Sequence, residues 1–292
     1  MKAAPFVLHG PKTVEEAAGL MAELGDDGGI VLAGGQSLVP MMALRLAYPS
    51  HLIDINGVEG LSKVGIADGA LSIGAMVRHA FFHHEHPQAG VLGRLLTTVV
   101  RHIAHYPIRQ RGTFCGSLAH ADPASEWCLV ATTLGATAVL QSASASRSVE
   151  IDRFIEGAMT TSREPDEILV GARLPLLPEN ARFGFYEFNR RAGDFALGMA
   201  LAVYETEEGL MRNVRVGLGG IEEKPRRISA AEGVLEGRPA EREIFAEAAQ
   251  AALAGLDPME DATTSALYRR DLAAVVIRRA LEASVAGGTP KQ

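Results

Sequence analysis

Residues 31–46 read VLAGGQSLVPMMALRL. Gly34 and Gly35 leave an apolar run that reads as a buried strand, and Gln36 and Ser37 separate them from a run with helical apolar spacing. Glycines here let an oxygen approach the backbone closely. Successive N–H groups ahead of a helix offer partial positive charge to an anion without any lysine. A tight strand-to-helix turn with nothing bound would carry the same residues. A second segment of the same kind narrows the choice. IRQRGTFCGSLAHADP, residues 108–123, again places glycine and small polar residues before a helix, about 80 residues downstream. Two anion loops can hold two phosphates, hence the pyrophosphate of a dinucleotide. Neither loop is followed by the Gly-Lys-Ser/Thr of a Walker A site, and neither is a Rossmann fingerprint.

The rest of the chain supplies elements for a sheet-and-helix fold. Thr13 and Glu16 have capping-box spacing ahead of Val14, Ala17, Ala18, Met21 and Leu24. IVLA and LIDI read as short strands, with a helix between them running to about Leu46. Asp68-Gly69 is a hairpin signal between KVGIA and ALSIGA. Helical patterns follow at 76–86 and 89–105. Pro123 opens a further helix over 124–134, ATAVLQ alternates like a strand, and SASASRS reads as a loop. From about residue 178 three strand-like segments, FGFYEFNRR, ALGMALAVYE and MRNVRVGLGG, precede helical patterns at 228–236, 240–255 and 264–286. Strands first and helices afterwards predict a separate α+β domain. The expected division is 1–57, 58–177 and 178–292.

Charge and cysteine usage exclude several functions. With 28 Lys and Arg against 35 Asp and Glu, the net charge is −7, and no basic stripe offers itself to nucleic acid. Cys115 and Cys128 are too few for a four-thiolate cluster. The N-terminal residues lack the apolar core of a signal peptide, and no stretch approaches the ~20 apolar residues of a membrane helix. The expectation is a cytoplasmic protein with no membrane insertion. His83, His84 and His86 show no i, i+4 pair and read as an exposed helix end, so no metal site is expected. Ser117, His120 and Asp122 lie too close in sequence for a hydrolase triad. VGLGGIEEKPRR has Glu222 where a third glycine would stand and reads as a turn. Arg269, Arg270, Arg278 and Arg279 read as a partner patch or as a solvated helix face.

AGGQSLVPMMALRL, then LIDINGVEGL, then IRQRGTFCGSLAHADPASE, resemble in order the FAD-binding medium subunit of the molybdenum hydroxylases, the family of carbon monoxide dehydrogenase and xanthine dehydrogenase-type enzymes. YRRDLAAVVIRRAL resembles the end of that family's C-terminal flavoprotein domain. The resemblance implies a two-subdomain α/β FAD-binding domain similar to the vanillyl-alcohol-oxidase type, then an α+β domain of three antiparallel strands and a helical bundle. It implies that Ala33, Gly34, Gly35, Gln36, Ser37 and Leu38, with Thr113, Cys115, Gly116 and Ser117, hold the FAD pyrophosphate, and that Asp122 contacts the flavin. RRAGDFALG maps Asp194 and Phe195 to the isoalloxazine, with Arg191 as a further candidate. Cys115 stands where the family usually has glycine, Gln36 where histidine is frequent, and Phe195 where tyrosine is frequent.

The resemblance implies no acid–base catalytic side chain in this chain. Molybdopterin and 2Fe-2S clusters are expected on partner chains, a large molybdenum subunit and a small iron–sulfur subunit, assembled as a dimer of heterotrimers. Electrons would pass from the clusters through FAD to an external acceptor. A free-standing FAD-dependent oxidoreductase and a cofactor-free structural subunit are the two rival readings.

Overall fold

The first elements are β1 (Val7–His9), α1 (Val14–Leu24), β2 (Gly29–Leu32), α2 (Leu38–Ala43) and β3 (His51–Asp54). The strands pair in parallel in the order β1-β3-β2. The structure, a computed structural model, describes residues 2–286; residues 287–292 of the expected third domain lie outside it. Thr13 caps α1 as its spacing predicts, its hydroxyl oxygen accepting from the Glu16 N–H at 3.1 Å. The Glu16 carboxylate accepts from the Lys12 N–H at 2.6 Å, one residue earlier than a capping box requires. Ala17, Ala18 and Met21 turn the apolar face of α1 into the core. The second helix is shorter than the pattern through Leu46 predicts. Arg45 takes φ +60°, and the N–H groups of Leu46 and Ala47 turn back onto the Met41 carbonyl.

The middle of the chain builds a second sheet. β4 (Val64–Ala67) and β5 (Ala70–Gly74) meet at Asp68-Gly69, whose φ values of 51° and 70° suit a primed hairpin turn. Then come α3 (Gly90–Val99), α4 (Tyr106–Arg109), α5 (Phe114–His120), α6 (Glu126–Leu134), β6 (Thr137–Gln141), β7 (Ser146–Glu150) and α7 (Ile151–Phe154). The pair β8 (Ile155–Gly157) and β9 (Thr160–Thr161) precedes β10 (Ile168–Pro175), which enters the sheet as β4-β5-β10-β6-β7.

Three sequence expectations fail here for identifiable reasons. Residues 76–86 form no α-helix, because Val77–His79 pairs with Gly112–Phe114 through His79 N–H to Gly112 C=O at 2.9 Å and Phe114 N–H to Val77 C=O at 3.1 Å. Only a 3-10 turn, His79–His83, remains helical. Pro123 does not open α6; Ser125 caps it, accepting from Cys128 N–H at 3.4 Å. The end of SASASRS belongs to β7, paired with β6.

The C-terminal part has the predicted order. β11 (Ala181–Phe188), β12 (Gly198–Glu207) and β13 (Leu210–Gly219) form an antiparallel sheet that a short β14 (Arg226–Arg227) extends. Against it pack α8 (Ser229–Leu235), α9 (Arg242–Ala251) and α10 (Ala266–Ala286). Arg269 belongs to neither a patch nor a solvated face. It is 4% exposed, and its guanidinium donates to the carbonyls of Leu197 at 2.9 Å and Gly220 at 2.5 Å and to Asp261 at 2.6 Å. The helix α6 lies across β12 and β13 and joins this sheet to the rest of the chain. Among the described residues no helix is long and apolar enough to cross a membrane.

Candidate functional site

The two glycine loops, far apart in sequence, touch in the fold. At Gly34 a Cβ would overlap the Arg111 carbonyl and come within 2.7 Å of Gly112 Cα. Glycine at 34 therefore lets the loops meet backbone to backbone. Gly35 follows at φ +71°, so the chain changes hand inside the loop and turns its amides outward. Among the described residues, no acceptor is recorded for the N–H groups of Gly34, Gly35, Gln36 and Ser37. Four consecutive donors without partners in a half-buried loop are a ready anion site. The Gln36 amide donates to Gly34 C=O at 3.2 Å and stiffens the turn.

Sequence reading did not single out the residues that clamp the loops together. Asp54 accepts from the Asn56 N–H at 3.0 Å, and the Asn56 amide donates to Ala33 C=O at 2.8 Å. Arg78 donates to Asn56 Oδ1 at 2.5 Å and, through its other terminal nitrogen, to Arg111 C=O. One asparagine and one arginine thus tie β3, the first loop and the second loop into one unit. Asn56 lies inside LIDINGVEGL, so an asparagine just past a strand end was the only available signal.

Beneath the second loop lies His79, 5% exposed. Its Nδ1 accepts from Trp127 Nε1–H at 2.9 Å, which leaves the ring proton on Nε2. Burial, then Arg109 and Arg78, push its pKa down to about 3, so the ring is neutral. Gly112 lies against the ring, where a Cβ would stand 2.5 Å from Nε2.

The second loop differs from the sequence expectation in which donors it leaves free. Cys115, Gly116 and Ser117 are already helical, in α5. Thr113 caps that helix, accepting from Gly116 N–H at 3.0 Å, and its carbonyl accepts from Ser117 N–H at 3.1 Å. The Gly116 and Ser117 amides are therefore engaged, and the Thr113 and Cys115 amides and the Ser117 hydroxyl remain. Cys115 points its sulfur into the core toward Ile73 C=O at 3.7 Å, so the side chain that replaces glycine fills interior space. Asp122 ends this segment, accepting from Ala124 N–H at 2.8 Å.

The Arg191, Asp194 and Phe195 candidates lie on the loop between β11 and β12. Phe195 is 75% exposed, and with Arg190, Gly193, Asp194, Leu197 and Thr263 it lines a cleft of about 340 Å³. Gly193 packs on His105, just ahead of α4, where a Cβ would be 2.7 Å from Nδ1. The loop is thus seated beside the second glycine segment, and no hydrogen bond is recorded between it and the first. Below it are two acids, Glu187 with its side chain buried and Glu126 half-buried. Burial, then Glu126, raise Glu187 to about 9, and burial raises Glu126 to about 7.

Both acids are raised, so the native state keeps protons that the unfolded chain releases above its ordinary 4.5. Stability is therefore expected to fall as pH rises from about 4.5 toward about 9, at up to ~1.4 kcal/mol per pH unit for the Glu187 proton. Urea unfolding across that range measures it, and Glu187→Gln should flatten the decline.

The family model described as "FAD binding domain in molybdopterin dehydrogenase" matches residues 4–177. The chain belongs to that family. The "CO dehydrogenase flavoprotein C-terminal domain" model matches residues 183–284. Similar proteins of this kind include the nicotine 6-hydroxylase medium subunit of Paenarthrobacter nicotinovorans, 37% identical over 93% of this chain and 94% of that one. The carbon monoxide dehydrogenase medium chain of Hydrogenophaga pseudoflava is 32% identical over 96% of both. Among solved structures, carbon monoxide dehydrogenase from H. pseudoflava superposes with TM-score 0.92 at 33% identity, covering 98% of this chain and 99% of that chain. Quinoline 2-oxidoreductase from Pseudomonas putida 86 gives 0.91 at 36% identity over 98% and 99%. The mixed α/β fold is the family's fold.

Proposed function

We propose that this chain is the electron-transferring FAD subunit of a molybdenum hydroxylase complex. The observation that carries the reading is the run of four amides at Gly34–Ser37 without partners among the described residues, set against a second loop whose close approach a side chain at 34 would block. These donors suit a pyrophosphate. The amides of Thr113 and Cys115 and the Ser117 hydroxyl would complete its cradle, with Ala33 and Leu38 at the ends of the first loop. Asp122 and the Asp194–Phe195 pair, with Arg191 beside them, would flank the flavin ring. The two α/β units then act as the halves of a vanillyl-alcohol-oxidase-type FAD-binding domain.

When bound, FAD supplies a centre that accepts electrons one or two at a time; the chain supplies binding, orientation and field. The neutral His79 adds no charge beneath the second loop. Arg78, bound to Asn56 and Arg111, brings a positive charge beside both loops. By analogy with relatives named as medium subunits, the partners are a large molybdenum subunit and a small 2Fe-2S subunit in a cytoplasmic dimer of heterotrimers. Electrons enter from the small subunit and leave to an external acceptor.

The purified chain is expected to be yellow and to release FAD, not FMN, on denaturation. Loaded with FAD, it should oxidise no substrate of the complex alone and gain that activity only when both partner chains are added. A protein that stays colourless after incubation with FAD would support the structural-subunit rival. Full turnover by the single chain would establish the free-standing oxidoreductase.

A further inference from the structure

The loop bearing Asp194 and Phe195 is held from beneath by groups that pyrophosphate binding does not use. Glu187, near the end of β11, has a side chain only 1% exposed. Its Oε1 accepts from the Asn189 amide at 2.9 Å, and the same nitrogen reaches Asp194 C=O at 3.5 Å. Its Oε2 is buried with no hydrogen-bond partner among the described residues. Asn189 is therefore a bridge from a buried acid to the loop.

Among the described residues no positive charge offsets that acid. His102, following α3, stands 3.9 Å from Oε2, but burial lowers its pKa and keeps it neutral. From α6, Glu126 faces Glu187 with like charge, and Asp122 adds its own to Glu126. Arg109 of α4 acts on Glu126, yet its Nη1 is committed to the carbonyls of Ile103 and Ala104 at 2.7 and 2.9 Å.

We propose that Glu187, uncharged and bonded to Asn189, is the positioning residue that holds the Arg190–Phe195 loop against the α4–α6 face, and that ionising it releases the loop. A carboxylate buried with an orphan oxygen beside a second acid is costly. It is relieved when water enters, as opening the loop would allow. The Asn189 bond favours the charged form, but burial and Glu126 outweigh it. Below the titration the acid is neutral and the loop stays down; above it the loop opens.

The consequence for a flavin rests on the reading of Asp194 and Phe195 as its neighbours; the anchoring does not. Arg191 is exposed and makes the loop a trypsin site, so the apo protein can be tested directly. Cleavage after Arg191, followed by mass spectrometry and normalised to an unstructured peptide, should rise about tenfold between about pH 7 and about pH 9.5. Glu187→Gln, an isosteric neutral side chain, should be cut slowly at both pH values, and Asn189→Ala quickly at both. An equal wild-type rate at the two pH values, which needs no variant, would overturn the proposal, as would a Gln variant that shows the same rise. In FAD-loaded protein the visible spectrum should change with the midpoint of the cleavage rate. A loop that responds while the spectrum does not would leave the anchoring standing and remove Asp194 and Phe195 from the flavin site.

Discussion

Gly34→Ala is expected to weaken FAD binding ten- to a hundredfold while the protein still folds. The added methyl would overlap the Arg111 carbonyl and lie 2.7 Å from Gly112 Cα, both backbone atoms that no rotamer change can move. Overpacking of this kind costs ~1–3 kcal/mol. Pushing the two loops apart also draws Ala33 from Asn56 and Arg111 from Arg78, so the cost falls on the cradle itself. At ~1.4 kcal/mol per tenfold, the expected range of affinity follows. Gly69→Ala is the control. It introduces a side chain at positive φ, +70°, which Gly34 does not have, but into open space, so it should cost stability alone and leave affinity unchanged. Titrating apo protein with FAD, with circular dichroism to verify the fold, measures both. Unchanged affinity at Gly34→Ala with an intact fold would mean that the junction of the loops is not the pyrophosphate site.

Why Gly34 was legible and its clamps were not is a matter of range. A glycine pair at a strand exit, an Asp-Gly hairpin and a capping threonine are local devices whose partners lie within a few residues. Strands ahead of helices in the C-terminal half are equally a matter of order along the chain. Asn56 and Arg78 work across 22 to 33 residues, and His79 meets Trp127 across 48. Nothing in the periodicity around them marks such partners. The segment 76–86 shows the limit most plainly. Its apolar spacing suits a helix, yet three of its residues are drawn into extended pairing with Gly112–Phe114, because that pairing builds the floor of the second loop. The Arg269 reading fails for a related reason. Four arginines on one helix suggest a solvated face, but the carbonyls awaiting Arg269 belong to Leu197 and Gly220, outside that helix.

The largest effect on stability is expected from Trp127→Ala. Trp127 is the chain's single tryptophan and is 0% exposed. Its ring packs on Phe114 at 5.0 Å and edge-on to Phe82 at 5.3 Å between centroids. Emptying that volume should cost ~3–5 kcal/mol, against a total of roughly 5–15 kcal/mol for a folded protein. Trp127→Phe separates packing from polarity. It keeps an aromatic ring but leaves His79 Nδ1 without its donor, which should cost ~1–3 kcal/mol. The pH dependence tells the two apart. His79 is depressed from 6.5 to about 3, so in that window the unfolded chain binds a proton that the native protein refuses. Stability attributable to His79 is therefore lost as pH falls below about 6.5, at up to ~1.4 kcal/mol per pH unit. This runs against the two raised acids, so the test is the difference between wild type and variant at each pH. With the indole N–H gone, protonated His79 no longer opposes a donor; burial, Arg109 and Arg78 still depress it, so its native pKa should rise only part of the way and the difference should narrow toward acid. A difference that stays constant from about pH 7 to about pH 4 would show that the indole N–H does not hold His79 neutral.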